Sequence, residues 1–337
     1  MSLMLDSGAF AVWNRGESVD LDQYIQFCVD NPGVSYYVAL DVIPGRPNDI
    51  TSLTQSTIDG ACAAGWDNYQ RMLKHLPVEK VIPVFHQGDS LEWLERMLDF
   101  GSPYIGISPA NDRTTAQRLK WLATVRPTVT SSDGRPLVKM HGFAVTGFRL
   151  MKSFPWYSVD SATWVQQGGR GVIYAPQVSH DEPDFSREPF QLAVSDVSPI
   201  KGEFNKHVLC LSPTVKRGVD KFLASCRVSY GESERVDVGE GYKLKKGWER
   251  WAVKGKTIVR VKSKGIMTCD QRRKLVNAMF FMRANEALPV EKIYLAGMGV
   301  KPKIEKMIQN RLLSYVEVLG HGGKKAFEWH RDYVEKE

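Results

Sequence analysis

Leu3-Met4-Leu5-Asp6-Ser7-Gly8-Ala9-Phe10 and Tyr157-Ser158-Val159-Asp160-Ser161 each contain a short apolar run that stops on an aspartate. A short apolar run bounded by polar residues or glycine reads as a buried strand. Between these two the same rhythm repeats. Apolar runs at Tyr36–Leu40, Val81–Phe85, Tyr104–Ile107 and Leu137–Met140 alternate with helical patterns at Leu21–Val29, Ile58–Leu76, Leu91–Phe100 and Ala116–Val125. Strands that alternate with helices make a parallel sheet. The strand ends carry Asp6, Asp41, Gln87, Gly106, Gly142 and Asp160. A TIM-like (β/α)8 barrel builds its site from such ends, so the expected fold is an α/β barrel, with a doubly wound sheet as the alternative.

Two further strands would complete the barrel. Val172-Ile173-Tyr174 is one expectation, and Lys292-Ile293-Tyr294-Leu295-Ala296-Gly297, after the amphipathic stretch Gln271–Leu288, is the other. From about residue 180 to 265 the rhythm is lost and the chain becomes charged and turn-rich. The expected organisation is therefore a barrel core over 1–180, a basic insertion over 181–265, and a C-terminal helical region over 266–337 that supplies a closing strand. The tail from Lys301 has helical spacing in KIEKMIQNRLLSYVEVL, then a Gly322-Gly323 break.

The 337 residues, 43% of them hydrophobic, suffice for a large domain with a real core. There is no basic segment followed by an apolar stretch at the start and no run of membrane length, so the expected location is the cytoplasm, without membrane association. Cys28, Cys62, Cys210, Cys226 and Cys269 form no CxxC pair, which favours reduced structural thiols over zinc or redox chemistry.

A net charge of +7 favours polyanionic partners only weakly, and its distribution says more. The stretch YKLKKGWERWAVKGKTIVRVKSKG interleaves Lys243, Lys245, Lys246, Arg260 and Lys262 with Trp248, Trp251, Ile258 and Val261. Alternation in KTIVRVKSK predicts a half-buried strand with a basic exposed face, suited to phosphate contact and base stacking. A solvated hairpin is the equal alternative.

If the Asp6 and Asp160 strands belong to one parallel barrel, the two carboxylates share a face. Two carboxylates on one pocket can break a glycosidic bond by double displacement, one as nucleophile and one as acid/base. A lone aspartate after a strand is more often a helix N-cap, but a convergent pair is not explained that way.

Asp6-Ser7-Gly8-Ala9-Phe10 resembles the DSGG-plus-aromatic signature of tRNA-guanine transglycosylases, and the later strand ends follow that family's order. WYSVDSATW followed by GRGVIYAP resembles more closely the phage and bacterial DpdA-like branch, which inserts 7-deazaguanines into DNA. The resemblance spans roughly residues 3 to 176, about half of the chain. It implies Asp160 as the nucleophile that attacks the sugar C1′ and Asp6 as the acid/base. It implies Asp41 as acceptor for the N1–H and exocyclic amine of the base, a guanine-reading role that a carboxylate suits. Gln87 and Gly88 match the positions that read the base carbonyl, and Gly106 matches a glycine whose N–H approaches the base. Phe10 matches the stacking aromatic, Ser7 of the same motif belongs to the base-binding set, and His141-Gly142 match the opposite wall.

The sequence departs from the tRNA enzymes in lacking their CxCxxC zinc cluster and the Thr-Arg after the nucleophile. Strands that precede DSG in those enzymes must come here from elsewhere, with the C-terminal region as the source. The resemblance thus implies exchange of guanine in DNA for a free 7-deazaguanine base such as 7-cyano-7-deazaguanine. No metal or other cofactor is implied, and a homodimer is compatible with it. The alternatives are the same chemistry on tRNA, a non-catalytic nucleic-acid-binding barrel, and a carbohydrate hydrolase, which has less use for Asp41 and Gln87.

Overall fold

The computed structural model describes residues 3–46, 49–180, 182–198, 207–296 and 315–318. They form two compact units, 1–162 with 288–337, and 163–287, within which the described residues lie.

The first unit is a mixed α/β arrangement built on parallel strands. Strands β1 (Met4–Leu5), β2 (Tyr36–Val38) and β3 (Val81–Ile82) pair in that order, all parallel. Strands β4 (Val84–His86), β5 (Tyr104–Ser108), β6 (Lys139–Gly142) and β7 (Ser158–Ser161) form a second parallel run. Only Pro83 separates β3 from β4. Proline has no N–H to give a ladder, which breaks this strand formally, yet the Pro83 carbonyl still accepts from Gly106 N at 2.8 Å.

Helices return the chain between these strands, and their starts follow local chemistry. Helix α1 (Ala9–Trp13) follows β1, and α2 (Leu21–Asp30) starts at Asp20, whose side chain accepts from Gln23 N. Helix α3 (Gln55–Leu73) carries a reciprocal Thr54/Thr57 capping box and buries Ala61, Trp66, Tyr69 and Met72 along one stripe. Helix α4 (Leu91–Asp99) is capped by Ser90, and α5 (Thr115–Val129) by a Thr114/Gln117 box. Helix α6 (Phe148–Ser153) leads to β7.

Side chains of one strand face alternate. Tyr104 and Gly106 therefore share a face of β5, as do Ser158 and Asp160 of β7. In register, Gly106 lies opposite His141, His141 opposite Ser158, and Asp160 opposite Tyr294. Met4, Val38, Ile82, Tyr104, Tyr294 and Ala296 pack into one buried cluster that draws on strands of both sheets.

In the second unit, helix α7 (Thr163–Gly169) and strand β8 (Val172–Ala175) open the fold. Short strands β9 (Gln177–Ser179) and β10 (Glu182–Asp184) form a hairpin, and β11 (Phe190–Ala193) follows. After helix α8 (Pro213–Ser225) come β12 (Glu232–Asp237), β13 (Glu249–Val253) and β14 (Thr257–Ser263), an antiparallel sheet with β14 in the middle, and then helix α9 (Asp270–Ala287). The buried Asn277 of α9 accepts from Tyr174 N and donates to the carbonyls of Trp164 and Val172, tying α7, β8 and α9 together.

Three expectations change here. The run Val172–Tyr174 does not join the parallel sheet: β8 pairs antiparallel with β11, and its apolar side chains serve the α9 core. The unit boundaries fall at 162/163 and 287/288 rather than near 180 and 265, because α7, β8 and α9 pack with the charged segment. Lys292–Ala296 does form a strand, β15, parallel to β7. Within the tail expected to be helical, Tyr315–Val318 is strand β16, antiparallel to β15. The rest of the tail, with Gly297 and Gly322-Gly323, lies outside the described residues.

Candidate active site

Asp6 follows β1, Asp41 follows β2, His86 ends β4, Gly142 ends β6, and Asp160 lies in the last half of β7. All are at C-terminal ends of parallel strands, where polar groups are not consumed by the ladder.

Asp160 is 5% exposed. Its Oδ1 accepts from Ala144 N at 2.9 Å and lies 3.4 Å from His141 Nε2. Ala144 holds a left-handed backbone, φ 54°, which L-residues adopt at a cost, and its carbonyl accepts from the Arg118 guanidinium at 3.1 Å. The loop after β6 is thus bent so that one N–H meets the carboxylate. Behind it, His141 Nδ1 lies 2.5 Å from Ser158 Oγ, which also bonds the Tyr104 hydroxyl. His141 is fully buried, against Phe143 and Tyr294.

A second polar cluster joins the ends of β1, β2 and β4. Ser7, buried, donates to Asp41 Oδ1 at 3.2 Å and accepts from Ala9 N. His86 Nε2 lies 2.9 Å from Asp41 Oδ2, and Asp89 Oδ2 takes the His86 backbone N–H at 2.8 Å and sits 3.5 Å from its Nδ1. Burial opposes charge on this ring, but Asp41 and Asp89 outweigh it and raise the His86 pKa to about 10. The ring is an imidazolium at neutral pH, clamped between two carboxylates. Burial, together with Asp89, pushes the Cys62 thiol up to about 12. Asp41, His86, Asp89 and Cys62 border a cavity of about 30 Å³, room for a water or two.

Asp6 is exposed, unlike Asp160. Burial, with Cys28 and the charge of Asp6, raises Tyr24 of α2 well above the ordinary phenol value. Phe10 is 55% exposed and stacks on Trp13, so an aromatic face stays open at this edge.

Other expected residues sit differently. The Gln87 side-chain carbonyl accepts from Ala110 N at 3.0 Å, a local structural bond, and the exposed Gly88 has φ 124°. The Gly106 N–H is spent on Pro83, and a Cβ there would come within 2.3 Å of the Phe143 ring. Its missing side chain makes room for Phe143, and its N–H is not free to meet a base. Gly142 faces Trp156 and Val145, on the opposite side of β6 from His141. His141 therefore supports Asp160 instead of forming a wall with Gly142.

The basic strand is half-buried as expected, with Ile258, Val259 and Val261 inside. Its cations are largely spoken for. Arg260 bonds Glu249 at 2.9 Å and approaches Glu234, and Lys262 pairs with Glu234 at 2.8 Å. Lys243, Lys245 and Lys246 are exposed, beside Trp248 at 47% exposure, with Lys264 over its ring. The phosphate-contact expectation therefore rests on those three lysines and not on Arg260 or Lys262.

Among the described residues no group of three or more His, Cys, Asp or Glu side chains is arranged to hold a metal ion, and no helix is long and apolar enough to cross a membrane. No disulfide joins any of the five cysteines among the described residues. No known family profile matches the chain, and no curated protein matches it in sequence.

Proposed function

We propose that this chain is a base-exchange transferase of the DpdA-like kind, which replaces guanine in DNA with a 7-substituted 7-deazaguanine. The observation that carries the reading is Asp160: a buried carboxylate at a parallel strand end, with one oxygen held by a strained backbone N–H. Asp6, Ser7 and Asp41 end neighbouring strands in the same sense. The fold that accommodates this is an eight-stranded barrel of β1, β2, β3 continuing into β4, β5, β6, β7, β15 and β16. Contact of β1 with β16 and the shared cluster of Met4, Ile82, Tyr104 and Tyr294 support closure. The closing strand, antiparallel β16, comes from the C-terminal region.

In this mechanism a carboxylate oxygen of Asp160 forms a bond to C1′ as the C1′–N9 bond breaks. The electron pair goes to N9 of guanine, which takes a proton from Asp6. The incoming 7-deazaguanine returns its N9 proton to Asp6 as its nitrogen displaces Asp160, so protons balance over the cycle. Asp41, which accepts from His86 and Ser7, complements the N–H and amine edge shared by both bases. A duplex target must be flipped out, at about a few kcal/mol.

The test is incubation with DNA, or with tRNA as a parallel arm, followed by denaturing electrophoresis and nucleoside mass spectrometry. DNA should yield a denaturation-resistant adduct and incorporated 7-cyano-7-deazaguanine, both absent with Asp160→Ala. Exchange in tRNA alone would favour the tRNA reading. Tight DNA binding without exchange would favour a non-catalytic barrel.

A further inference from the structure

We infer that His141 is a positioning residue that decides which oxygen of Asp160 attacks; the inference rests on the transglycosylase reading above. His141 is fully buried and its Nε2 has no hydrogen-bond partner other than the long 3.4 Å approach to Asp160 Oδ1. A buried ring nitrogen aimed at a carboxylate and at nothing else needs an explanation, and the hydroxyls behind it supply one.

The chain of groups runs Tyr104 hydroxyl, Ser158 Oγ, His141 ring, Asp160 Oδ1. A hydroxyl offers one proton, and a neutral imidazole has one donor and one acceptor nitrogen. If Nδ1 carried the proton, the Nε2 lone pair would face a carboxylate oxygen, which is repulsive. Ser158 would then accept from both Nδ1–H and the Tyr104 hydroxyl, and its own proton would have no partner in this chain of groups. With the proton on Nε2 every group is served in one direction: Tyr104 donates to Ser158, Ser158 donates to Nδ1, and Nε2–H points at Oδ1. Ser158 lies two residues before Asp160 on the same face of β7, so the strand that carries the nucleophile also carries the residue that sets its neighbour's tautomer.

Asp160 Oδ1 then receives both the Ala144 N–H and the His141 Nε2–H, while Oδ2 accepts nothing among the described residues and is the oxygen that bonds to C1′. The long Nε2 contact shortens when the reacting complex forms, as donors to a reacting carboxylate commonly do. Arg118 belongs to the same device, since it holds the Ala144 carbonyl and so the loop that aims the other donor.

The test has two arms. Histidine-ring ¹⁵N spectra of the free wild-type protein, assigned with His141→Gln, should show a protonated Nε2 and a bare Nδ1. A proton on Nδ1 overturns the inference without reference to activity. In the second arm, His141→Phe, which keeps the ring volume, should slow adduct formation at saturating DNA about 10- to 100-fold, the loss expected for one hydrogen bond to a charged group. Affinity for free 7-cyano-7-deazaguanine should stay unchanged, and His141→Gln, which can place a donor at the Nε2 position, should recover part of the rate. Wild-type rate in the phenylalanine variant overturns the role. If wild-type protein shows the stated tautomer but forms no adduct, the transglycosylase reading fails, and the positioning role fails with it.

Discussion

The His86 clamp makes stability fall with rising pH in a defined window. His86 has a folded-state pKa of about 10, against an ordinary value of 6.5. Its pKa is raised on folding, so the stability it contributes is fully present below 6.5 and is lost as pH rises through about 10. Between those values the folded state holds a proton that the unfolded state has released, and the unfolding free energy drops by up to about 1.4 kcal/mol per pH unit. The full shift sets an upper bound of about 5 kcal/mol. The ring is 23% exposed and its partners sit near solvent, which screens part of the interaction. The expected loss across the window is therefore about 2–3 kcal/mol. The variant His86→Gln keeps a donor to Asp41 Oδ2 and removes the titration. Urea denaturation of both proteins at intervals from pH 6 to 10 separates this site from the cysteines, lysines and tyrosines that titrate in both. The wild-type advantage should shrink steadily above pH 7. Parallel curves, with a constant gap over that range, would refute the argument that the two carboxylates hold His86 charged.

Gly106→Ala should destabilise the protein by about 1–3 kcal/mol through collision with the Phe143 ring, and the added Phe143→Ala should relieve part of that collision in a double-mutant cycle read by thermal unfolding. Asp41→Ala should weaken use of guanine and 7-deazaguanine together by about tenfold or more, whereas Gln87→Ala should cost less in exchange, since its carbonyl serves Ala110 N; the comparison is kcat/KM for each base. Neutralising Lys243, Lys245 and Lys246 together should lower the slope of log DNA affinity against log salt by about three, while Arg260→Gln with Lys262→Gln should leave the slope nearly unchanged and lower the melting temperature slightly. Equal slope changes from the two sets would show that the glutamate pairing does not occupy Arg260 and Lys262.

The strand and helix rhythm from Leu3 to Val159 was legible because a buried parallel strand must be apolar throughout and its return helix must show a 3.6-residue stripe. Asp6, Asp41 and Asp160 were legible for the same reason, as the polar residues at which those apolar runs stop. His86 and Ser158 were open to the same reading and were missed. His86 sits one residue before Gln87, and Ser158 shares the face of Asp160 by the two-residue period, so strand parity would have found it.

Other features had no local signal. Glu234 and Glu249 neutralise Arg260 only because β12 and β13 flank β14 in one register, joining residues up to 26 positions apart in order. Val172–Tyr174 and Lys292–Leu295 look alike as apolar runs, and only their packing partners, α9 for one and β7 for the other, assign them to different units. A run of alternating polarity near Tyr315 became a strand by pairing with β15, against its helical spacing. Sequence determined which segments bury themselves and which polar residues end them, since burial follows from side-chain chemistry along the chain. Tertiary structure alone decided which charges meet, which N–H groups are spent and which oxygen of Asp160 is held, because those depend on distances between segments that the chain order does not encode.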